Sequence, residues 1–291
     1  MNFHVGSGSH AEQTARIMIE AEKTLLELKP DWVLVYGDTN TTLAAALAAA
    51  KLHIPVAHLE AGLRSFNKAM PEEINRILTD HISDLLLAPT SIAFENLQAE
   101  GVRSPTKLVG DVMVDAFRFA QELNSNKGAA TDLGGFLVAT LHRAENTDDP
   151  ARLGSLLEKL ASSKLPVFLL AHPRLISKAQ EFSINLKRGA IEVREPVSYL
   201  GMVKLLSAAS GVITDSGGLQ KEAYLAKAPC LTLRTETEWL ETLQGGWNIL
   251  DPEGEQLGGE WWTSQKSHHD LDIYGDGHAA ERVIAALQSF H

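Results

Sequence analysis

The sequence predicts an α/β protein of two Rossmann-like halves, each a parallel sheet with helices on its faces. Short apolar runs of strand length alternate with helical stretches along nearly the whole chain, as right-handed βαβ crossovers require. The alternation stops once, at the polar and small residues between Gln121 and Gly135, and then resumes, so that stretch reads as a linker. A third observation is Gly211–Ala223, GVITDSGGLQKEA, a short apolar strand that breaks at paired glycines into a helix. Ligands of such sheets bind beyond the carboxyl ends of the strands, which places the expected site in a cleft between two facing halves.

In chain order, Ser9 can cap a helix from His10 to about Leu28, with Ala15, Ile17, Met18, Ala21, Leu25 and Leu28 on its apolar face. Lys29-Pro30 ends it. Trp32–Tyr36 is a near-continuous apolar run, as expected for a parallel strand covered on both faces. Helix Thr39–Leu52, strand Ile54–Leu59, helix Glu72–Ile82, strand Asp84–Ala88, helix Thr90–Ala99 and a short strand Lys107–Val109 follow. Beyond the linker come strand Phe136–Leu141, helix Pro150–Leu160, strand Pro166–Leu170, helix Pro173–Phe182, strand Ala190–Val193 and helix Tyr199–Ala209. Strand Gly211–Thr214, a helix opening at Leu219 and strand Pro229–Leu233 complete the series. The tail Asp251–Tyr274 is irregular, and a last helix, Gly277–Phe290, carries Ala280, Val283, Ile284 and Leu287 on one face.

Composition bounds what the chain can do. Its 291 residues leave room for two domains, each with its own core. A balance of 26 Lys+Arg against 37 Asp+Glu, net -11, without a basic run, argues against a nucleic-acid partner. Any anionic ligand must therefore be held by local geometry. The lone Cys230 cannot form an internal disulfide and reads as a packed strand residue, which fits a reducing cytoplasm. No apolar stretch reaches membrane-spanning length, and Met1-Asn2-Phe3-His4 opens no signal-peptide pattern. His268-His269 reads as surface loop and not as a metal site, because adjacent side chains point apart on a strand and no convergent ligands accompany them.

The stretch around Ser216 has the makings of a diphosphate cradle. Gly217 and Gly218 let the backbone approach a ligand closely, Ser216 adds a hydroxyl, and the first amides of the helix lack partners. Glu222 follows one turn later, within reach of a ribose. The same stretch also reads as a capped helix after a tight turn. In the first half, Asp38 is either the cap of helix 39–52 or a catalytic acid, and Glu60, followed by small residues, has little packing reason to exist. Glu72, Asn75 and Arg76 share one helix face at i, i+3 and i+4, although acids are common near a helix N-terminus. His142-Arg143 beyond a buried strand suits a titrating group beside a leaving phosphate. His172-Pro173-Arg174 repeats the theme, and Arg234 offers a further guanidinium. Acids in one half and a phosphate cradle in the other suit proton movement on a nucleotide-linked sugar. That arrangement gives no reason to invoke redox chemistry, and the GxGxxG dinucleotide fingerprint and the GxxxxGK[ST] phosphate loop are both missing.

VYGDTNTTLAAALAA (35–49), AHLEAGLRSFNKAMPEEINRILTDHISDLLLAPT (57–90), TLHRAEN (140–146), HPR (172–174), TDSGGLQKEA (214–223) and RTETEWLE (234–241) closely resemble the non-hydrolysing UDP-N-acetylglucosamine 2-epimerases. The resemblance implies a glycosyltransferase-B-like fold, with a partial first domain over 1–125, a UDP-binding domain over 126–275 and a last helix, 276–291, packing back on the first domain. It implies a reaction without external cofactor, in which UDP is eliminated to give a 2-acetamidoglucal and re-added with the other configuration at carbon 2. By motif position Asp38, Glu60 and Glu72 match the family's catalytic acids and His142 its catalytic histidine. Ser216, Gly217 and Gly218 match the UDP-phosphate site and Glu222 the ribose contact, with Arg76, Arg143, His172 and Arg234 as further expected substrate contacts. A homodimer is expected.

Two departures bear on substrate and completeness. Ala144 after Arg143, and Trp239 in Thr237-Glu238-Trp239, look more like the branch acting on UDP-2,3-diacetamido uronic acids. The family's opening strand and GTRPE-type loop have no counterpart here, so weak UDP binding, little epimerisation and association through an exposed first half are expected. A glycosyltransferase on the same architecture and a non-catalytic UDP-sugar binding module are the competing readings.

Overall fold

The computed structural model describes residues 3–6, 8–125, 135–264 and 271–290. Residues 126–134 of the expected linker and the His268-His269 pair lie outside the described residues. The chain divides into two compact units, Met1–Asp115 with Leu271–His291, and Ala116–Asp270. Among the described residues no helix is long and apolar enough to cross a membrane.

The first unit carries α1 (His10–Leu28), β1 (Val33–Tyr36), α2 (Asn40–Lys51), β2 (Val56–Leu59), α3 (Pro71–Ile82), β3 (Leu85–Ala88), α4 (Ser91–Ala99) and β4 (Thr106–Leu108). Its strands form one parallel sheet in the order β1-β2-β3-β4. Alternation along each strand gives two cores. Val35 and Val56 pack with Ala21 and Leu25 of α1 and the alanines of α2, whereas Ala57, Leu59, Leu85 and Leu87 pack with Val283 and Ala286 of a C-terminal helix, Ala279–Gln288. Trp32 meets Phe290 edge to face at 4.9 Å on that side.

Two helix faces differ from the expectation. In the C-terminal helix Ala279, Val283 and Ala286 are buried while Ile284 is 57% exposed, and in α1 Leu28 is 67% exposed. Both helices carry more apolar residues than the sheet can cover, so periodicity alone leaves the phase ambiguous. A helix absent from the sequence reading, α5 (Val112–Ser125), runs into the stretch read as linker. Val114, Phe117 and Ala120 are buried along it at helical spacing, a signal hidden by the polar residues at its end.

The second unit contains β5 (Leu137–Thr140), α6 (Ala144–Thr147), α7 (Pro150–Ala161), β6 (Val167–Leu170), α8 (Pro173–Glu181), β7 (Ile191–Arg194), α9 (Tyr199–Leu206), β8 (Gly211–Thr214), α10 (Gly217–Leu225), β9 (Cys230–Thr232) and β10 (Asn248–Leu250). All six strands are parallel, in the order β10-β9-β8-β5-β6-β7. The strand β10 is three residues long, too short for a periodic signal, and is held by Cys230 N donating to Trp247 O at 2.7 Å. Leucines of α7 cover one face of the sheet, and Leu206, Leu219 and Ala223 join Val212 and Cys230 on the other. Burial pushes the Cys230 thiol up to about 12, so it is an inert packed residue as expected. Helix α10 opens at Gly217 and not at Leu219, which makes the glycines themselves its first turn.

Gly62 has φ +84°, and a Cβ there would collide with the Ala93 carbonyl. Gly62→Ala is therefore expected to destabilise the protein by ~2 kcal/mol or more. Gly154 lies inside α7 with open space where its Cβ would be, so Gly154→Ala is expected to stabilise by ~0.5–1 kcal/mol. Urea unfolding of the two variants against wild type checks both signs.

Candidate functional site

In the first unit, parallel register brings two carboxylates to neighbouring strand ends. Tyr36 pairs with Leu59, and Gly37 N donates to Leu59 O at 3.1 Å, so Asp38 and Glu60 leave the sheet side by side. The helix cap is Thr39, whose hydroxyl accepts from Thr42 N, and not Asp38. Asp38 instead takes Arg76 Nη2 at 2.6 Å. Glu60 has φ +70°, a left-handed backbone that costs a non-glycine residue ~1–3 kcal/mol and persists where its surroundings enforce it. Its carboxylate lies over Gly37, where a Cβ would come within 3.3 Å of Oε2.

The polar face of α3 differs from the one expected. Glu73, 1% exposed, and not Glu72, joins Asn75 and Arg76. It accepts from the Ser65 and Phe66 amides at 2.9 Å each and from Arg76 Nη1 at 2.8 Å. Burial pushes the Glu73 carboxyl up, but these bonds outweigh it and hold the group below the ordinary carboxylate range. Because α3 starts at Pro71, residues 73, 76 and 80 turn inward, and Glu72 is left exposed in the first turn. Arg76 is buried between Asp38 and Glu73, and Asn75 Nδ2 donates to Asp38 O at 2.9 Å.

In the second unit the chain runs outward from β5 through β6 to β7, then returns to place β8 on the other side of β5. Such a switch point opens a crevice at the carboxyl ends of the strands. A cavity of about 390 Å³ lies there, lined by Thr140 at the end of β5 and His142 beyond it, Leu170 at the end of β6 and His172 beyond it, Pro196 and Val197 after β7, Met202 of α9, and Ser216, Gly218, Leu219 and Glu222 around the start of α10. Thr140 and Thr214 hydroxyls meet at 2.6 Å, and Ser216 N donates to Thr214 Oγ1 at 2.9 Å, which fixes the turn. Ser9, Thr39, Thr90, Asp149 and Ser198 each cap their helix with the side chain. Ser216, at the N-cap of α10, makes no such bond. A positive helix end thus adjoins the cavity.

His142 is oriented from behind. Its Nδ1 lies 2.7 Å from Asp215 Oδ1, and the fully buried Asp215 also accepts the His142 and Arg143 amides and Asn146 Nδ2. Burial pushes the Asp215 carboxyl up, yet the His142 bond and charge with the two amides hold it below the ordinary range. The ring therefore keeps its Nδ1 proton, which leaves Nε2 as the working nitrogen. His172 has the opposite assignment, since its Nδ1 accepts from Arg174 N at 3.2 Å and its proton must sit on Nε2. The two ring centroids are 5.5 Å apart.

Besides Arg76 in the first unit, three expected contacts do not line this cavity. Arg143 is the N-cap of α6; Arg234, 3% exposed, pairs with Glu238 Oε2 at 3.0 Å; and a Cβ on Gly217 would collide with the Glu238 carboxylate. Beneath the same loop, Lys221 Nζ stands 3.8 Å from the Trp239 ring centroid. Among the described residues no group of three or more His, Cys, Asp or Glu side chains could hold a metal ion.

A family model described as UDP-N-acetylglucosamine 2-epimerase matches residues 1–288. The chain belongs to that family. Among its relatives, the UDP-2,3-diacetamido-2,3-dideoxy-D-glucuronate 2-epimerase of Pseudomonas aeruginosa is 47% identical over 97% of this chain and 82% of its own length. The UDP-N-acetylglucosamine 2-epimerase of Methanocaldococcus jannaschii is 42% identical over 98% of this chain and 83% of its own. A crystal structure of the M. jannaschii UDP-GlcNAc 2-epimerase, in complex with UDP-GlcNAc and UDP, superimposes with a TM-score of 0.86 at 39% identity, covering 99% of this chain and 83% of that one. The Neisseria meningitidis UDP-GlcNAc 2-epimerase bound to UDP-GlcNAc gives 0.85 at 30% identity, over 97% and 83%. The expected two-domain, glycosyltransferase-B-like α/β class is shared with these 2-epimerases.

Sequence reasoning missed Asp215 as the partner of His142, and missed the apolar wall of Leu170, Pro196, Val197 and Met202. The strand-end rule applied to β7 would have found Pro196 and Val197. Glu222 supplies a pH test. Burial, against the nearby charge of Lys221, raises its carboxyl from 4.5 to about 7. A raised pKa gives the fold stability that is complete below the unfolded value and lost as pH climbs through the folded one. Glu222→Gln lacks this titration, so its urea midpoint is expected to gain on wild type from about pH 4.5 to 7 and then level off.

Proposed function

We propose that this chain is a UDP-sugar 2-epimerase acting on a UDP-2-acetamido sugar. The observation that carries the reading is the cavity at the α10 N-terminus, with His142, Ser216, Gly218 and Glu222 in its wall, in a chain whose family members crystallise with UDP-GlcNAc and UDP. The α10 amides and Ser216 would hold the diphosphate, Glu222 would accept ribose hydroxyls, and Val197, Met202 and Leu170 offer apolar surface to the base. His142 Nε2, backed by Asp215, assists departure of the phosphate.

Carbon 2 carries a poorly acidic proton, so its removal is coupled to loss of UDP. A carboxylate takes the proton, the electron pair forms the carbon 1–carbon 2 double bond, and the carbon 1–oxygen bond breaks toward UDP. Re-addition with a proton delivered to the opposite face inverts carbon 2. Asp38, Glu60 and Glu72 are the proposed acids and bases. The second substrate reading, UDP-2,3-diacetamido-2,3-dideoxyglucuronate, is favoured by the 47% identical relative and by Ala144 and Trp239.

Both UDP-sugars should be incubated with the protein in deuterium oxide and carbon 2 followed by NMR. Slow deuterium incorporation at carbon 2 without an acceptor is expected for one of them; transfer that requires an acceptor, or binding without any exchange, would sink the reading. Asp38→Asn, Glu60→Gln and Glu72→Gln should each lower turnover by ~10²-fold or more and leave UDP affinity nearly intact. Gly218→Asp, which puts a charge into the cradle, should weaken UDP binding by calorimetry at least ~10-fold.

A further inference from the structure

We propose that His58 is a positioning residue for this reaction, holding the Gly37 carbonyl and thereby setting where the Asp38 and Glu60 carboxylates stand. The proposal rests on the 2-epimerase reading. His58 is fully buried in β2, two residues before Glu60. Its Nε2 lies 2.8 Å from Gly37 O and its Nδ1 2.6 Å from Asp80 Oδ1. A carbonyl oxygen only accepts, so Nε2 carries a proton. Burial pushes the Asp80 carboxyl up, but the His58 bond and charge, with Arg64, hold it below the ordinary range.

Arg64 reaches Asp80 Oδ2 at 2.8 Å and Glu100 through Nε and Nη2 at 2.7 and 2.8 Å. The loop that carries Glu60 is tied down from the same side: Asp80 Oδ2 accepts Gly62 N at 3.1 Å, Asn96 Nδ2 donates to Gly62 O at 2.9 Å, and Ala61 N donates to Leu87 O at 3.2 Å. The left-handed Glu60 is thus pinned after its α-carbon by Ala61 and Gly62. Before it, His58 ties the Gly37 turn, over which the Glu60 carboxylate lies, to the same Asp80.

Two substitutions separate the two ring bonds. A glutamine amide reaches the place of Nε2 and keeps the bond to Gly37 O; an asparagine amide reaches the place of Nδ1 and keeps the bond to Asp80. In the full chain His58→Asn is expected to lower kcat ~10²-fold with KM within about 3-fold of wild type, and His58→Gln to stay within about 10-fold in kcat. The Gly37 and Glu60 amide NMR shifts should move in His58→Asn and stay in His58→Gln. Equal kcat in the two variants, or unmoved shifts in His58→Asn, would overturn the proposal. Nitrogen-15 NMR of the wild-type imidazole needs no variant to fold: a proton on Nε2 is expected, and a bare Nε2 overturns the proposal outright. Should neither UDP-sugar exchange at carbon 2, the epimerase reading fails, while the amide shifts and the ring protons still decide the role of His58.

Discussion

The second-unit site depends on one buried carboxylate. Asp215 receives the His142 ring, two backbone amides and an asparagine amide, and so sets at once the tautomer of the histidine, the course of the chain after β5 and the turn that leads into α10. Each of those bonds offsets part of the cost of removing a charge from water. Remove the charge and all three features lose their common anchor.

Asp80 does the corresponding work in the first unit. It too is fully buried, bonds a histidine, an arginine and a backbone amide, and stands behind a strand end that carries a candidate catalytic group. Both units use the same physical solution: a parallel strand, continuous in its burial, ends in a loop that water reaches, and a satisfied buried anion fixes that loop. Ordinary loop mobility would otherwise spread the positions of the candidate side chains.

Strands and their ends were legible because a buried parallel strand is an uninterrupted apolar run. Strand Gly211–Thr214 was read with its observed bounds, and His142, His172, Ser216, Gly218 and Glu222 were found together as cavity wall. The anchors were not legible. Asp215 bonds the His142 amide 73 residues away and Asp80 bonds His58 across 22, and a carboxylate in the sequence carries no mark of such a partner. Thr39 over Asp38 as cap, and Glu73 over Glu72 as the inward acid, were choices between adjacent residues made by the exact start of a helix, the quantity that pattern reading resolves least well.

Glu60 gives the fold an adaptive cost. A side chain other than glycine in a left-handed conformation subtracts from stability, and here that side chain is a candidate catalytic carboxylate. Directed evolution that rewarded only heat resistance would drift toward glycine at this position, and the fittest survivors by that measure would have shed a carboxylate from the candidate site. Thermostable descendants of this chain should therefore be selected with a chemical readout alongside the thermal one.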